Sequence, residues 1–344
     1  MDRNLALEMV RVTEAAALAA ARFLGKGNPE DADHAAVSAM ATAIKGVAMK
    51  GRIVIGESPD KEQALLYPGC YVGSGEGTRV DIALDSLDCR ESLINGRPNA
   101  ISALAMGPED TFIDYPSPFM EMIGVGAEAA GNINLNNSVF DNLVKIAGAK
   151  REYVEDLTVA VLNRRRHNGL IEEVRGAGAR IVILDEGDLS AAISTGIPKA
   201  GIDVIMGTGS SAQGIIAAAA LRCLGGDFQG RFINPNDIEL EENDSFGLKS
   251  SSERFTVNGS KLKMDDAAEK IPDEKYKKVY SAEEIVSGEN VMFATTGVSQ
   301  TPFLKGTIFK PGGALTHSMV LRSKSGTIRF LRTQHFFDKT PDYS

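Results

Sequence analysis

Val80-Asp81-Ile82-Ala83-Leu84-Asp85-Ser86-Leu87-Asp88-Cys89-Arg90-Glu91 opens as a strand and closes on two carboxylates three residues apart. Val80, Ile82 and Leu84 fall on one face, the period-two pattern of a half-buried strand. Asp85 and Asp88 then read as an Asp-x-x-Asp turn at the strand end. Such a turn aims two hard oxygen ligands at one point, which suits magnesium or manganese and phosphate chemistry. The same carboxylates equally serve as turn formers or helix caps.

Upstream, Leu5, Met9, Val12, Ala16, Ala19 and Phe23 recur at helical spacing and stop at Gly25-Lys26-Gly27, so a helix is expected over 5–24. After the turn Asn28-Pro29-Glu30-Asp31, a second helix is expected from about Asp33 to Met49, capped by Asp31 or Asp33. Arg52-Ile53-Val54-Ile55 reads as a short buried strand that delivers Glu57 to the rim of a sheet. Another strand is expected at Ile101–Met106, and a helix from about Val139 to Ala147.

From residue 150 strands and helices alternate, the rhythm of a layered α/β sheet. Strands are expected at 157–162, 179–184 and 202–206, with helices at 166–175, 189–194 and 213–224. Gly207-Thr208-Gly209-Ser210-Ser211 lies between a strand and a helix. Backbone N–H groups and hydroxyls there suit an anion, and the same glycines also suit a plain tight turn. Residues 235–282 are rich in charge with few apolar anchors, which reads as a surface excursion. Strands return at 291–297, 317–321 and 327–331, and the tail after Phe336 is expected to fray. The expected organisation is a half over 1–150 carrying the acidic positions and a second half over 151–335.

Composition narrows the chemistry. The chain has 344 residues, 43% hydrophobic and 24% charged, with formal net charge -9. That balance argues against nucleic acid as the main partner, since a polyanion needs a basic face. No run approaches the roughly 20 apolar residues of a membrane helix, and the first helix is amphipathic rather than a signal peptide, so a cytoplasmic protein without a membrane partner is expected. Cys70, Cys89 and Cys223 are scattered without metal-ligand spacing.

Taken in order, Asn4-Leu5-Ala6-Leu7-Glu8, Gly25-Lys26-Gly27, Ala32-Asp33, Ile53-Val54-Ile55-Gly56-Glu57, Val80-Asp81-Ile82-Ala83 and Ala294-Thr295-Thr296-Gly297-Val298 resemble the blocks of the class II fructose-1,6-bisphosphatases. These form a branch of the lithium-sensitive, metal-dependent sugar phosphatases. The resemblance runs from Leu5 to Arg332 and weakens in the 235–282 excursion. It implies a layered α-β-α-β-α sugar-phosphatase fold of the α/β class, with Mg2+ or Mn2+ held between carboxylates and a water attacking the 1-phosphate in line. Carried over position by position, the implied metal ligands are Asp33, Glu57, Asp85, Asp88 and Gln213. The implied sugar and phosphate contacts are Phe119, Arg164, Arg165, Arg166, Glu186, Gly187 and Asp188, with Ser210 in the Gly-Ser loop. The implied partner is a phosphorylated sugar, and the implied assembly a homo-oligomer, dimer or tetramer, or one mixed with a paralogue.

This chain departs from the family where the chemistry should be. The family's Asp-Pro-Ile/Leu-Glu-Gly-Thr is here Asp85-Ser86-Leu87-Asp88-Cys89-Arg90. Arg90 stands in place of the threonine that helps activate the attacking water, and a guanidinium stays protonated and cannot act as a base. Cys89 replaces a glycine, Gln213 a glutamate, and Pro59 and Lys61 replace acids, while Asp60 offers a partial substitute. Positions 61, 90 and 213 leave the site about four charges more positive than its relatives, and two opposite charges 4 Å apart are worth roughly 4 kcal/mol at an effective dielectric of 20. The expectation is a sugar-phosphate binder with weak or no hydrolysis; the alternatives are a competent fructose-1,6- or sedoheptulose-1,7-bisphosphatase and a regulatory subunit of an active paralogue.

Overall fold

The computed structural model describes residues 4–57, 65–238, 254–257, 260–263 and 272–338. Pro59, Asp60 and Lys61, and most of the expected excursion, lie outside the described residues.

In chain order the elements are helices α1 (Leu5–Ala20) and α2 (Pro29–Lys45), strands β1 (Met49–Ile55), β2 (Tyr71–Val72) and β3 (Thr78–Asp88), helix α3 (Arg90–Ile94), strands β4 (Ile101–Pro108) and β5 (Phe119–Val125), and helix α4 (Val139–Lys150). Strand β6 (Thr158–Leu162), helix α5 (Asn168–Gly176), β7 (Arg180–Leu184), α6 (Asp188–Thr195), β8 (Val204–Ser210), α7 (Ser211–Leu224) and β9 (Asp227–Phe232) follow. The chain continues through β10 (Arg254–Val257), β11 (Ser260–Lys263), α8 (Asp273–Lys277), β12 (Tyr280–Ser281), α9 (Ala282–Ile285), β13 (Met292–Gly297), β14 (Ile308–Lys310), β15 (Gly313–Arg322) and β16 (Thr327–Phe336). Helices and mixed sheets together make the α/β fold that was expected.

The chain divides into two compact units, 1–111 with 288–344, and 112–287. The break expected at 150 falls inside the second unit. Leu143, Ile146 and Ala147 of α4 share one apolar cluster with Val159 and Val161 of β6, so a boundary there would cut a core.

The first unit is built on an eight-stranded sheet in the order β14-β15-β13-β4-β3-β1-β2, with β16 paired to β15. Leu5, Met9, Val12 and Ala16 of α1 and Ala36, Met40 and Ile44 of α2 bury against Ile53, Ile82, Leu84, Leu104, Met292, Ala294 and Val320. The helical spacing of the first set and the period-two spacing of the second explain why each element buries one face. Helix α2 begins four residues earlier than expected. Asn28 is its cap, accepting from the Asp31 N–H at 3.1 Å, and Pro29 occupies the first turn, where no N–H is needed. Asp33 therefore lies in the second turn, buried.

Strand β3 runs parallel to β1 and antiparallel to β4. It does not end before Asp85 but continues to Asp88 through a register shift, with Asp85 opposite Ala103 and Asp88 opposite Ile101. A bulge of this kind bends the strand and re-aims its side chains. The turn comes at Cys89, whose φ of 62° is left-handed.

The second unit is a six-stranded sheet in the order β12-β9-β5-β8-β6-β7. Strands β6, β7 and β8 are parallel, and β5 runs antiparallel to β8 and β9. Helices α4 and α5 cover the face carrying Ile123, Val125, Val204 and Met206. On the opposite face, Leu221 of α7 and Phe228 close around Gly124. The end of the expected excursion rejoins this sheet: Tyr280 pairs with Gly230, and Tyr276 and Tyr280 are buried. Past Phe336 the chain stays held at Phe337, whose N–H donates to Gly312 O at 2.9 Å. Among the described residues no helix is long and apolar enough to cross a membrane.

Candidate functional site

In the first unit the acidic residues gather at the carboxyl ends of β1 and β3. Glu57 follows β1, and its Oε1 accepts the Ser86 N–H at 3.2 Å. Asp85 Oδ1 accepts the Leu87 N–H at 3.2 Å, and the Cys89 thiol donates to Asp88 Oδ2 at 3.4 Å. Ser86 also turns its hydroxyl toward Met40 Sδ at 3.4 Å, which ties the bulge to α2, the helix that carries Asp33. Arg90 opens α3 directly after the left-handed Cys89, and its Nε is buried with no hydrogen-bond partner among the described residues.

A divalent cation needs several hard oxygens converging on one point. Among the described residues no three His, Cys, Asp or Glu side chains are grouped to hold one. Glu57 and the Asp85–Asp88 bulge are brought side by side, with one oxygen of each of these three carboxylates already accepting from a neighbouring N–H or thiol. All three are carboxylates, the hard oxygen donors that magnesium or manganese takes, but among the described residues they are not grouped to hold one.

Gln213 belongs to the second unit. It sits in the first turn of α7, and its N–H donates to Ser210 Oγ at 3.4 Å, so Ser210 is the helix cap. Phe119 lies opposite Ser210 in the β5/β8 ladder with its ring wholly buried.

The remaining candidates converge in this unit at the carboxyl ends of β6, β7 and β8. The order β8-β6-β7 places successive connections on opposite sides of β6. That reversal is a topological switch point, where open α/β sheets leave a crevice for ligands. Arg164, Arg165 and Arg166 follow β6, Glu186, Gly187 and Asp188 follow β7, and Gly207–Ser210 closes β8. Arg164 is buried, its Nη1 donating to Asn163 O at 2.8 Å and Asp185 O at 3.1 Å; Arg165 is exposed and Arg166 half-buried. Gly187 caps α6 with φ 98°, a conformation side chains rarely adopt, and so delivers Asp188 inward.

Asp188 is buried. Its Oδ1 accepts the Leu189 N–H at 3.2 Å, while its Oδ2 has no hydrogen-bond partner among the described residues. A methyl at Gly209 would lie 2.5 Å from that Oδ2, so the missing side chain is what leaves room for it. Burial pushes the Asp188 carboxyl up to about 6, against the opposing pull of the Leu189 N–H and Arg164.

His167 is a residue whose role local reading does not give: as a sequence it reads as a phosphate donor or a solvated ring. A histidine at a helix start is expected to be solvated, yet this ring is buried, with Nδ1 2.8 Å from Leu162 O and Nε2 accepting the Thr208 N–H at 2.8 Å. Its partner Thr208 lies 41 residues away, beyond any local pattern; the one available signal is Gly207, which leaves room for the ring.

Residues 3–335 match the family model for bacterial fructose-1,6-bisphosphatase, glpX-encoded. The D-fructose 1,6-bisphosphatase class 2/sedoheptulose 1,7-bisphosphatase of Gloeobacter violaceus is 36% identical, covering 98% of this chain and 97% of that protein, and its counterpart from a Synechococcus species matches to the same extent. The fructose-1,6-bisphosphatase class 2 of Haemophilus influenzae is 37% identical over 98% of each chain.

Proposed function

The chain belongs to the glpX-encoded bacterial fructose-1,6-bisphosphatase family, and from that premise we propose that it holds a phosphorylated sugar in the loops of its second unit and hydrolyses it weakly or not at all. Arg164, Arg165 and Arg166 take the phosphate by charge-assisted hydrogen bonds, and Glu186 and Asp188 accept from sugar hydroxyls. The observation that carries the binding half is Asp188 Oδ2, a buried carboxylate oxygen at the switch point without a partner among the described residues. Buried polar oxygens are normally satisfied, and a sugar hydroxyl supplies the missing donor.

The weak-hydrolysis half rests on the positions where this chain departs from the family. Magnesium or manganese would neutralise charge on the transferred phosphoryl group in this family. Here Asp88, Arg90 and Gln213 stand where the family has two glutamates and a threonine, and Arg90 adds a fixed positive charge beside the Asp85–Asp88 bulge. Such a charge favours an anionic ligand and disfavours a second cation.

A competent bisphosphatase is the second reading, favoured by the even 36–37% identity across nearly the whole of relatives that carry that name. Phosphate release from fructose 1,6-bisphosphate and sedoheptulose 1,7-bisphosphate, with Mn2+ and with Mg2+, separates the two. Turnover at an ordinary phosphatase rate, of order 1–1,000 per second, overturns the weak-hydrolysis reading. Calorimetry with the same sugars in the absence of metal tests binding by itself.

A further inference from the structure

We propose that His167 is the positioning residue of the anion loops, a ring that spans the gap at the switch point and fixes Thr208 and Arg166 before any ligand arrives. The inference rests on the sugar-phosphate reading above. Strands β6 and β8 are paired at Val159 with Val204 and at Ala160 with Ile205, and the ladder stops there. Beyond it β8 stays with β5 as far as Ser210, while β6 stays with β7 as far as Leu162. The strands part where Arg164–Arg166 and Gly207–Ser210 must act together, and main-chain pairing no longer relates them.

The imidazole restores that relation. Nδ1 carries the proton, because its neighbour at 2.8 Å is the Leu162 carbonyl, which can only accept. Nε2 is then bare and accepts the Thr208 N–H at 2.8 Å. The adjacent residue grips the other side of Thr208, with Arg166 Nη2 donating to its carbonyl at 3.2 Å. Two consecutive residues of one loop thus hold the N–H and the C=O of a single residue of the other. Gly207 has φ 127°, and a Cβ there would stand 3.0 Å from Nε2 and 3.1 Å from Cε1. The glycine is the space the ring occupies. Loops fixed in this way bind without the cost of ordering them, which is where preorganised sites gain affinity.

The experiment pairs binding with a spectroscopic signature. Fructose 1,6-bisphosphate is titrated without metal into the wild type, His167→Ala and His167→Gln, and histidine-selective 15N NMR reads the tautomer. We expect an Nδ1-protonated imidazole in the free protein, a loss of about tenfold or more in affinity for His167→Ala, and recovery of most of it in His167→Gln, whose amide offers one donor and one acceptor. A folded His167→Ala that binds as the wild type does, or an Nε2-protonated ring, overturns the proposal and leaves the sugar-phosphate reading standing. If the wild type binds neither fructose 1,6-bisphosphate nor inorganic phosphate, that reading fails. The latch is then judged by the tautomer and by amide exchange at Thr208: protection in the wild type that is lost in His167→Ala supports it, and unchanged exchange overturns it. Should His167→Ala fail to fold, Gly207→Ala, which drives the ring from its place, carries the same readouts.

Discussion

Cys89 turns its thiol back onto the preceding residue, donating from Sγ to Asp88 Oδ2 at 3.4 Å, and does so from a left-handed backbone with φ 62° and ψ 46°. Glycine holds this conformation without penalty, whereas an L side chain costs about 1–2 kcal/mol there. The glycine that the resemblance implies at this place would hold such a backbone without strain. The thiol is also buried in the core of the first unit, so two effects oppose in Cys89→Gly.

Comparing Cys89→Gly with Cys89→Ala separates them, because both lose the thiol. Glycine is normally the less stable by about 0.5–1 kcal/mol; here Cys89→Gly is expected to exceed Cys89→Ala by about 1 kcal/mol in urea unfolding. The ordinary order, alanine above glycine, would show that the left-handed turn is not strained.

Asp188 predicts a pH dependence. Its carboxyl is pushed up to about 6 from an ordinary value of 3.8, with burial the main cause. A native value above the unfolded one means that the folded state holds the proton more tightly. The contribution to stability is fully present below about pH 4 and is lost as pH rises through 6. At about 1.4 kcal/mol per pH unit the loss is about 3 kcal/mol. The stability of the wild type relative to Asp188→Asn should fall by about that amount between about pH 3 and about pH 7. A pH-independent difference would place the carboxyl in a solvated setting.

What the sequence made legible, and what it hid, follows the range of the interactions. Helix α1 could be read because Leu5, Met9, Val12 and Ala16 report on their own helix. Glu57 and Asp85 could be placed at sheet rims because each follows a short apolar strand. The continuation of β3 to Asp88 depends on its pairing with β4 and leaves no mark within residues 80–91. Asn28-Pro29 looks like a turn and is a helix start, since cap and turn use the same residues. His167 takes its role from Thr208, and the unit boundary from strands that return after residue 288; neither is written locally.

A buried polar chain crosses the first unit. Thr316 and Ser318 donate to Glu14 Oε1 at 2.8 and 3.3 Å, and Thr296 Oγ1 lies 2.8 Å from both Ser318 Oγ and Thr13 Oγ1. The Thr316 proton is committed to Glu14, so His335 Nε2, 2.9 Å from Thr316 Oγ1, is the donor in that contact. Glu14→Ala strands two buried hydroxyls and is expected to cost about 2–4 kcal/mol, against about 1 for Glu14→Gln, which keeps an acceptor. Equal losses in thermal or urea unfolding would mean that packing, rather than hydrogen bonding, holds α1 to β15.

The last prediction concerns the charge at the positions where this chain departs from the family. If Arg90, Gln213 and Lys61 are what disfavours a cation, then Arg90→Thr with Gln213→Glu and Lys61→Asp shifts the charge by about four units, removing two positive charges and adding a carboxylate at each of positions 61 and 213. Each opposite-charge contact regained at 4 Å is worth roughly 4 kcal/mol at an effective dielectric of 20, before desolvation is deducted. Mn2+ affinity, read by electron paramagnetic resonance, should tighten by at least about 100-fold, an amount well inside that electrostatic gain. Metal-dependent phosphate release from fructose 1,6-bisphosphate should rise with it, because Arg90→Thr takes a protonated guanidinium away from the bulge. Tighter Mn2+ without turnover would locate the lost chemistry in Asp88 or Cys89, and Asp88→Glu with Cys89→Gly added to the triple variant is the next step of the series. Unchanged Mn2+ affinity in a folded triple variant would refute the charge account.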